Sequence, residues 1–226
     1  FSHHFALISS HKIVFTIITA THESTSSKRE HCDMKKPAQK RSAQTYEKIL
    51  DTAASLLDER GFDKLNTNLI CERAGITPPA LYRYFPNKYA ILSALGERLM
   101  TAQNDALAIW IDQATEINSS VEQLQQMLRE QFDITVAQKG GASIMRALRS
   151  TPQLADVRLH SHAKMTALII ARLQEIDPSV DEAMQIQRNR LTMEMGYAAM
   201  EMLIDLPDMD VDQTLHDVAT MMAALS

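Results

Sequence analysis

Residues 66–92 read Asn66-Thr-Asn-Leu-Ile-Cys-Glu-Arg-Ala-Gly-Ile-Thr-Pro-Pro-Ala-Leu-Tyr-Arg-Tyr-Phe-Pro-Asn-Lys-Tyr-Ala-Ile-Leu92. The pattern spells two short helices. A polar-capped one runs from about Thr67 to Arg73, with Gly75 as the turn. Thr77 before Pro78 is an N-cap followed by proline in the first turn, so a second begins there and runs to about Tyr84. Pro86 stops it, and Asn87 caps a long helix continuing to about Asp112. Upstream, Tyr46, Ile49, Leu50, Ala53, Leu56 and Leu57 share one helical face, with Ser42 or Thr45 as its cap. Gly61 stands at the left-handed position after that helix, where Phe62 is expected to pack back on Leu57. Two short helices joined by a glycine turn, behind a longer helix, make a helix-turn-helix unit.

The rest of the chain is also helical in pattern. Its 226 residues include only six glycines and seven prolines, and helix formers abound. Ser119-x-x-Glu122 and Ser179-x-x-Glu182 read as capping boxes, opening helices that reach about Gln138 and Leu206. Gly140-Gly141 break the first of these, a short helix follows to about Arg149, and Thr151-Pro152 start another to about Ile176. A last helix starts near Asp210. The expectation is an all-α fold of about nine helices: residues 34–90 an N-terminal three-helix helix-turn-helix domain, residues 91–226 a C-terminal helical domain. Two cysteines exclude a disulfide scaffold and offer no cysteine-based zinc site. No apolar run approaches the roughly 18 residues needed to span a bilayer, so a cytoplasmic protein without a membrane partner is expected.

Charge is unevenly divided. Residues 34–90 carry ten bases and six acids, a net +4, whereas residues 91–226 carry ten bases and 19 acids, a net −9. A small basic module ahead of a larger acidic one suggests that only the first meets a polyanion. Residues 1–33 are rich in Ser, Thr and His and sum to zero charge, with one apolar stretch from Ile13 to Ala20. They match a secretory signal poorly and read as a disordered or artificial extension, with Met34 opening a short basic arm.

The helix near the C-terminus is apolar on two sides. Met184, Leu191, Met195, Ala198 and Met202 form one stripe; Ile186, Met193, Tyr197, Met200 and Ile204 form another, turned by about 200°. One stripe can face its own domain; the other needs a second partner. The final helix adds Val211, Leu215, Val218, Met222 and Leu225 at coiled-coil spacing. Two such helices from each of two subunits suit a four-helix bundle, so a homodimer through the last two helices is expected.

The segment from about Ser42 to Leu92, and above all Leu81-Tyr82-x-Tyr84-Phe85-x-Asn87-Lys88, resembles the DNA-binding region of the tetracycline-repressor (TetR) family. Asn66 stands in place of a commoner Thr, Cys71 in place of a commoner Ala, and the Pro78-Pro79 doublet is unusual. The resemblance implies a homodimeric repressor that binds a palindromic operator through the major groove and is released by a small molecule, with residues 91–226 as the C-terminal ligand-binding and dimerisation domain.

Physical roles follow for individual residues. Thr67 adds a hydroxyl at a helix start suited to phosphate. Thr77, Pro78, Pro79 and Ala80 are small and uncharged, so their end of the helix suits close approach to thymine methyls and sugar. Tyr82 projects from the same face, Arg83 is either a DNA contact or a solvated residue, Tyr84 can bond the duplex backbone or pack within the module, and Lys88 supplies a phosphate charge. A candidate ligand pocket draws on Trp110, Met127, Phe132, Met145, Met165 and Tyr197, with His162 and Arg190 to orient a polar group; ordinary core is the plainer role for the apolar ones. His160 and His162 point about 200° apart and do not chelate one metal, and no cofactor is expected. Cys71 reads as a small buried residue. The alternative function is an all-helical small-molecule-binding enzyme, although no phosphate loop, Ser-His-Asp signature or His-Glu-x-x-His occurs.

Overall fold

The computed structural model describes residues 40–116 and 119–225, so the expected extension at 1–33 lies outside the described residues. Among these, nine α-helices and one 3₁₀ turn occur and no strand: α1 (Lys40–Arg60), α2 (Thr67–Ala74), α3 (Pro78–Tyr82), α4 (Lys88–Gln113), α5 (Val121–Ala137), α6 (Gly141–Ser150), the turn Pro152–Leu154, α7 (Ala155–Ile176), α8 (Glu182–Asp205) and α9 (Val211–Ala223).

Local chemistry sets these ends. Asn66 caps α2 by accepting from the Leu69 amide at 2.9 Å. Gly75, at φ 62°, donates to the Glu72 carbonyl while Ile76 donates to that of Cys71, the paired bonds of a Schellman stop. The helix α3 ends at Tyr82, two residues earlier than the sequence suggests. The amides of Tyr84 and Phe85 both turn back onto the Leu81 carbonyl, tightening the chain ahead of Pro86. Asn87 caps α4 as expected, accepting from Ala90 at 3.0 Å.

Two expected capping boxes shift. The α5 box uses Ser120 and Gln123, which exchange both bonds at 3.2 and 2.8 Å, one residue beyond Ser119 and Glu122. Glutamine serves at the third position as well as glutamate, so the spacing alone fits either pair. At α8 the cap is Asp181, which accepts from Met184. Ser179 is already engaged, since its amide and hydroxyl both donate to Asp177 in the preceding turn.

All six apolar positions read on α1 are buried, and they share a core with Leu65, Ile70, Ala74, Leu81, Phe85 and Leu92. Tyr46 stacks on Phe85 with ring centroids 5.0 Å apart. Phe62 lies beside Tyr89 at the start of α4, so this ring bridges the first helix end to the long helix. A second core joins α5, α8 and α9 through Leu124, Leu128, Leu203, Leu215, Ala219 and Met222. The coiled-coil stripe of α9 is thus turned onto α5 of its own chain. On α8, Met200 of the second stripe is buried but Ile186 of that stripe is exposed, and in the first stripe Met184, Leu191 and Met202 are exposed while Met195 packs against the α5–α9 core.

Candidate nucleic-acid interface and ligand cavity

Tyr82 is half exposed on α3, and its hydroxyl lies 3.0 Å from that of Thr67 at the start of α2. The two short helices therefore bring one tyrosine and one threonine hydroxyl to the same point. Thr77, Pro78 and Pro79 are exposed at the opening of α3, with Ala80 partly so. The Thr77 hydroxyl makes no cap bond: Pro79 has no amide to offer it, and the Ala80 amide donates to the Thr77 carbonyl instead. The first two helical positions have no intrahelical amide bond to lose, so the doublet costs α3 little hydrogen bonding. The outcome is an uncharged, close-approach surface flanked by hydroxyls.

Charge sits at its margin. Arg83 is exposed at the end of α3, its guanidinium 6.0 Å from the Tyr84 ring. Lys88 opens α4 with Nζ 4.5 Å from the Phe62 ring centroid and 5.6 Å from that of Tyr89, which steers its ammonium without a carboxylate. Tyr84 is placed differently. Its hydroxyl lies 3.0 Å from Ser42 on α1 and its ring meets Tyr46 edge-on. Packing within the module is the role the geometry gives it.

The family model for bacterial regulatory proteins of the tetR family matches residues 49–95, the span from mid-α1 into α4. The HTH-type transcriptional regulator UidR of Escherichia coli K12 is 26% identical over 165 residues, 69% of this chain and 80% of its own length. The tetracycline repressor protein class C of Escherichia coli is 44% identical over 55 residues, 24% of this chain and 25% of its own. Over residues 49–95 the chain carries the tetR-family helix-turn-helix. Beyond the helix-turn-helix the likeness is one of fold: FadR from Bacillus subtilis, solved in complex with stearoyl-CoA, superposes with a TM-score of 0.62 at 17% identity, covering 80% of this chain and 99% of FadR.

Behind its tetR-family module, α4, α5, α7 and α8 enclose a cavity of about 170 Å³. Of the candidate pocket residues, Trp110, Met127, His162, Met165 and Tyr197 line it. Three do not. Phe132 packs against the α5–α9 core, Met145 is buried beside Met100 and Leu148 in a separate small void, and Arg190 is exposed on α8. Helical periodicity places these residues on a helix but not on which side of it the neighbours leave space.

The polar lining holds groups that the sequence did not single out. Tyr197 donates to Gln103 Oε1 at 2.9 Å, and Gln103 donates to the Thr135 hydroxyl at the same distance. Gln131 Nε2 returns to the Gln103 carbonyl at 3.1 Å. This buried chain joins α8, α4 and α5. Burial pushes the Tyr197 hydroxyl far above its ordinary range, so it stays a donor. His162 stacks on the Tyr197 ring at 4.9 Å between centroids. Burial first, and the Arg158 guanidinium second, lower its pKa to about 4, so the ring is neutral near pH 7. No spacing motif marks these glutamines; only their position among apolar helix faces could have drawn notice.

One more link matters. The amide of Gly140, in the left-handed conformation before α6, donates to Asp58 Oδ2 of α1 at 2.9 Å, and the Ser143 hydroxyl donates to Oδ1 at 3.2 Å. Glycine has no capping side chain, so α1 supplies the acceptor for α6. Arg98 of α4 also pairs with Glu47 and Asp51 of α1 at 2.5 and 2.8 Å. Cys71 is buried and free, and burial raises its thiol pKa. Among the described residues no cluster could hold a metal ion, and no helix is long and apolar enough to cross a membrane.

Proposed function

We propose that the protein is a ligand-responsive transcriptional repressor that works as a homodimer, each protomer placing α3 in the major groove of a palindromic operator. The observation that carries this is the half-exposed Tyr82 beside Thr67, at the edge of an uncharged tract from Thr77 to Ala80. Tyr82 and Thr67 then contact phosphate or base edge, Pro78, Pro79 and Ala80 approach methyls and sugar, and Arg83 and Lys88 bind phosphates. Residues 34–90 act as the DNA-binding domain and residues 91–226 as the regulatory one. Operator binding entails a cytoplasmic location.

Dimerisation through the exposed α8 stripe fits the folded chain better than the coiled-coil spacing of α9 does. Met184, Leu191 and Met202 share a face, and Met221 of α9 is also exposed. Both recognition helices must lie about 34–36 Å apart to enter successive grooves. A small molecule in the α4–α8 cavity that favours another spacing lowers operator affinity through its differential binding.

The test is selection of bound duplexes from a random pool, followed by titration of the best sequence. Tyr82→Ala should weaken specific binding by about tenfold to a hundredfold, with helix content and dimer intact. Wild-type affinity in that variant would refute the assignment.

A further inference from the structure

We propose that the α4–α5–α7–α8 cavity takes an uncharged molecule with a compact apolar body and a hydroxyl that donates to Nε2 of His162. The inference rests on the ligand-responsive reading above and adds the chemistry of the ligand.

Nε2 of His162 is buried without a hydrogen-bond partner. The ring is nine-tenths buried, held against Tyr197, with Nδ1 3.9 Å from Glu194 Oε1. A carboxylate only accepts, so although 3.9 Å is longer than a hydrogen bond, its charge favours the tautomer with the proton on Nδ1 and a lone pair on Nε2. A buried acceptor left unmet is unfavourable, and a ligand donor relieves it. Asn189 Nδ2 is a second unpartnered group on the same lining, and it donates. A hydroxyl can give to the first and take from the second.

Charge argues for neutrality. The cavity lining includes one cation, Arg172, and one anion, Glu116. Arg172 is committed: Nε and Nη2 donate to the Ala114 carbonyl at 3.0 and 2.7 Å, and Nη1 to Glu175. With His162 neutral, the lining offers no uncommitted cation to an anionic ligand, and its one anion, Glu116, is exposed to solvent. The other walls are largely apolar, including Leu107, Met165, Ile169 and Leu173. The volume of about 170 Å³ is below the roughly 300–1,000 Å³ of drug-sized sites, so the apolar body is small.

Trp110 is the chain's single tryptophan and lines this cavity, so its emission reads occupancy without any DNA. The probes are menthol, menthyl methyl ether, menthane and cyclohexylacetate, titrated into the full chain. Menthol should shift the emission with a Kd at least tenfold below that of its methyl ether. His162→Phe keeps a ring against Tyr197 but removes the acceptor; it should erase that preference and leave the menthane titration unchanged. Equal binding of alcohol and ether by the wild-type protein, tighter binding of cyclohexylacetate than of menthol, or no response to any probe would overturn the proposal. Each of those failures leaves operator binding to its own assay. A protein that prefers menthol but ignores all duplex DNA would sink the regulatory reading and keep the cavity chemistry.

Discussion

Replacing Asp58 by alanine tests whether α1 completes α6. Gly140 sits at φ 74° and supplies no side chain to the N-terminus of α6; the Asp58 carboxylate accepts from both Gly140 and Ser143. Losing a capping acceptor costs about 1 kcal/mol, within about 0.5–2, and losing a negative charge at a helix N-terminus adds about 0.3–1. The expected total is about 1–2 kcal/mol. For a chain of this size each kcal/mol moves Tm by roughly 2–4 °C, so Asp58→Ala should melt about 3–6 °C lower. Ser143→Ala alone should cost less than half of that, since it removes only one of two donors. In the Asp58→Ala background it should cost nothing further, because its acceptor is already gone. Hydrogen exchange of the Gly140 amide gives a local readout, and its protection should fall in Asp58→Ala. An unchanged Tm, or strictly additive losses for the two substitutions, would refute the idea that this carboxylate caps α6.

The remaining predictions concern DNA, pH and assembly. Lys88→Ala should weaken all duplexes similarly and flatten the salt dependence of log K by about one unit; an unchanged slope would remove Lys88 from the phosphate contacts. His162 has a pKa of about 4 in the folded chain against an ordinary value of 6.5, so the unfolded chain binds the extra proton as pH falls through that window. Stability should therefore decline between about pH 6.5 and 4, by up to about 1.4 kcal/mol per pH unit, and denaturant melts of His162→Phe should lack this component. Leu191→Glu places a charge in the exposed α8 stripe; sedimentation should show monomers with unchanged helix content, and an intact dimer would move the interface elsewhere.

The helix-turn-helix was legible because its signals are local. Asn66, Gly75, Asn87 and the paired prolines each fix a backbone position through bonds within a few residues, and all of them hold. The shifted boxes show the limit of this logic: Ser119 and Ser120 are equivalent to a spacing rule, and the surrounding helix faces decide between them. Cavity residues depend on neighbours distant in sequence. Met145 and Met165 look alike on a helix, yet one fills a separate void beside Met100 and the other borders the cavity. The clasp between Asp58 and Gly140 spans 82 residues, and neither residue type announces it.

That clasp also bears on how the cavity and the DNA module communicate. Met127, Leu128 and Gln131 of α5 line the cavity, and α5 runs on to the turn that Gly140 and Gly141 make. The turn has little slack. A Cβ on Gly141 would stand 2.0 Å from the Thr135 carbonyl oxygen, and one on Gly140 would stand 3.1 Å from that of Ala54. Backbone packed this closely transmits a shift of α5 to α1 or breaks contact; it does not absorb the shift in loose side chains. A second route leaves the same cavity through Tyr197 and Gln103 on α4, the helix that carries Lys88 at its other end. Gln103 also bonds Thr135, one turn before the glycine pair, so the two routes share a node. A ligand that displaces Tyr197 therefore acts on α4 and on the α5–α6 turn together, and the hydrogen bond between Gln103 and Thr135 makes it costly for one to move without the other.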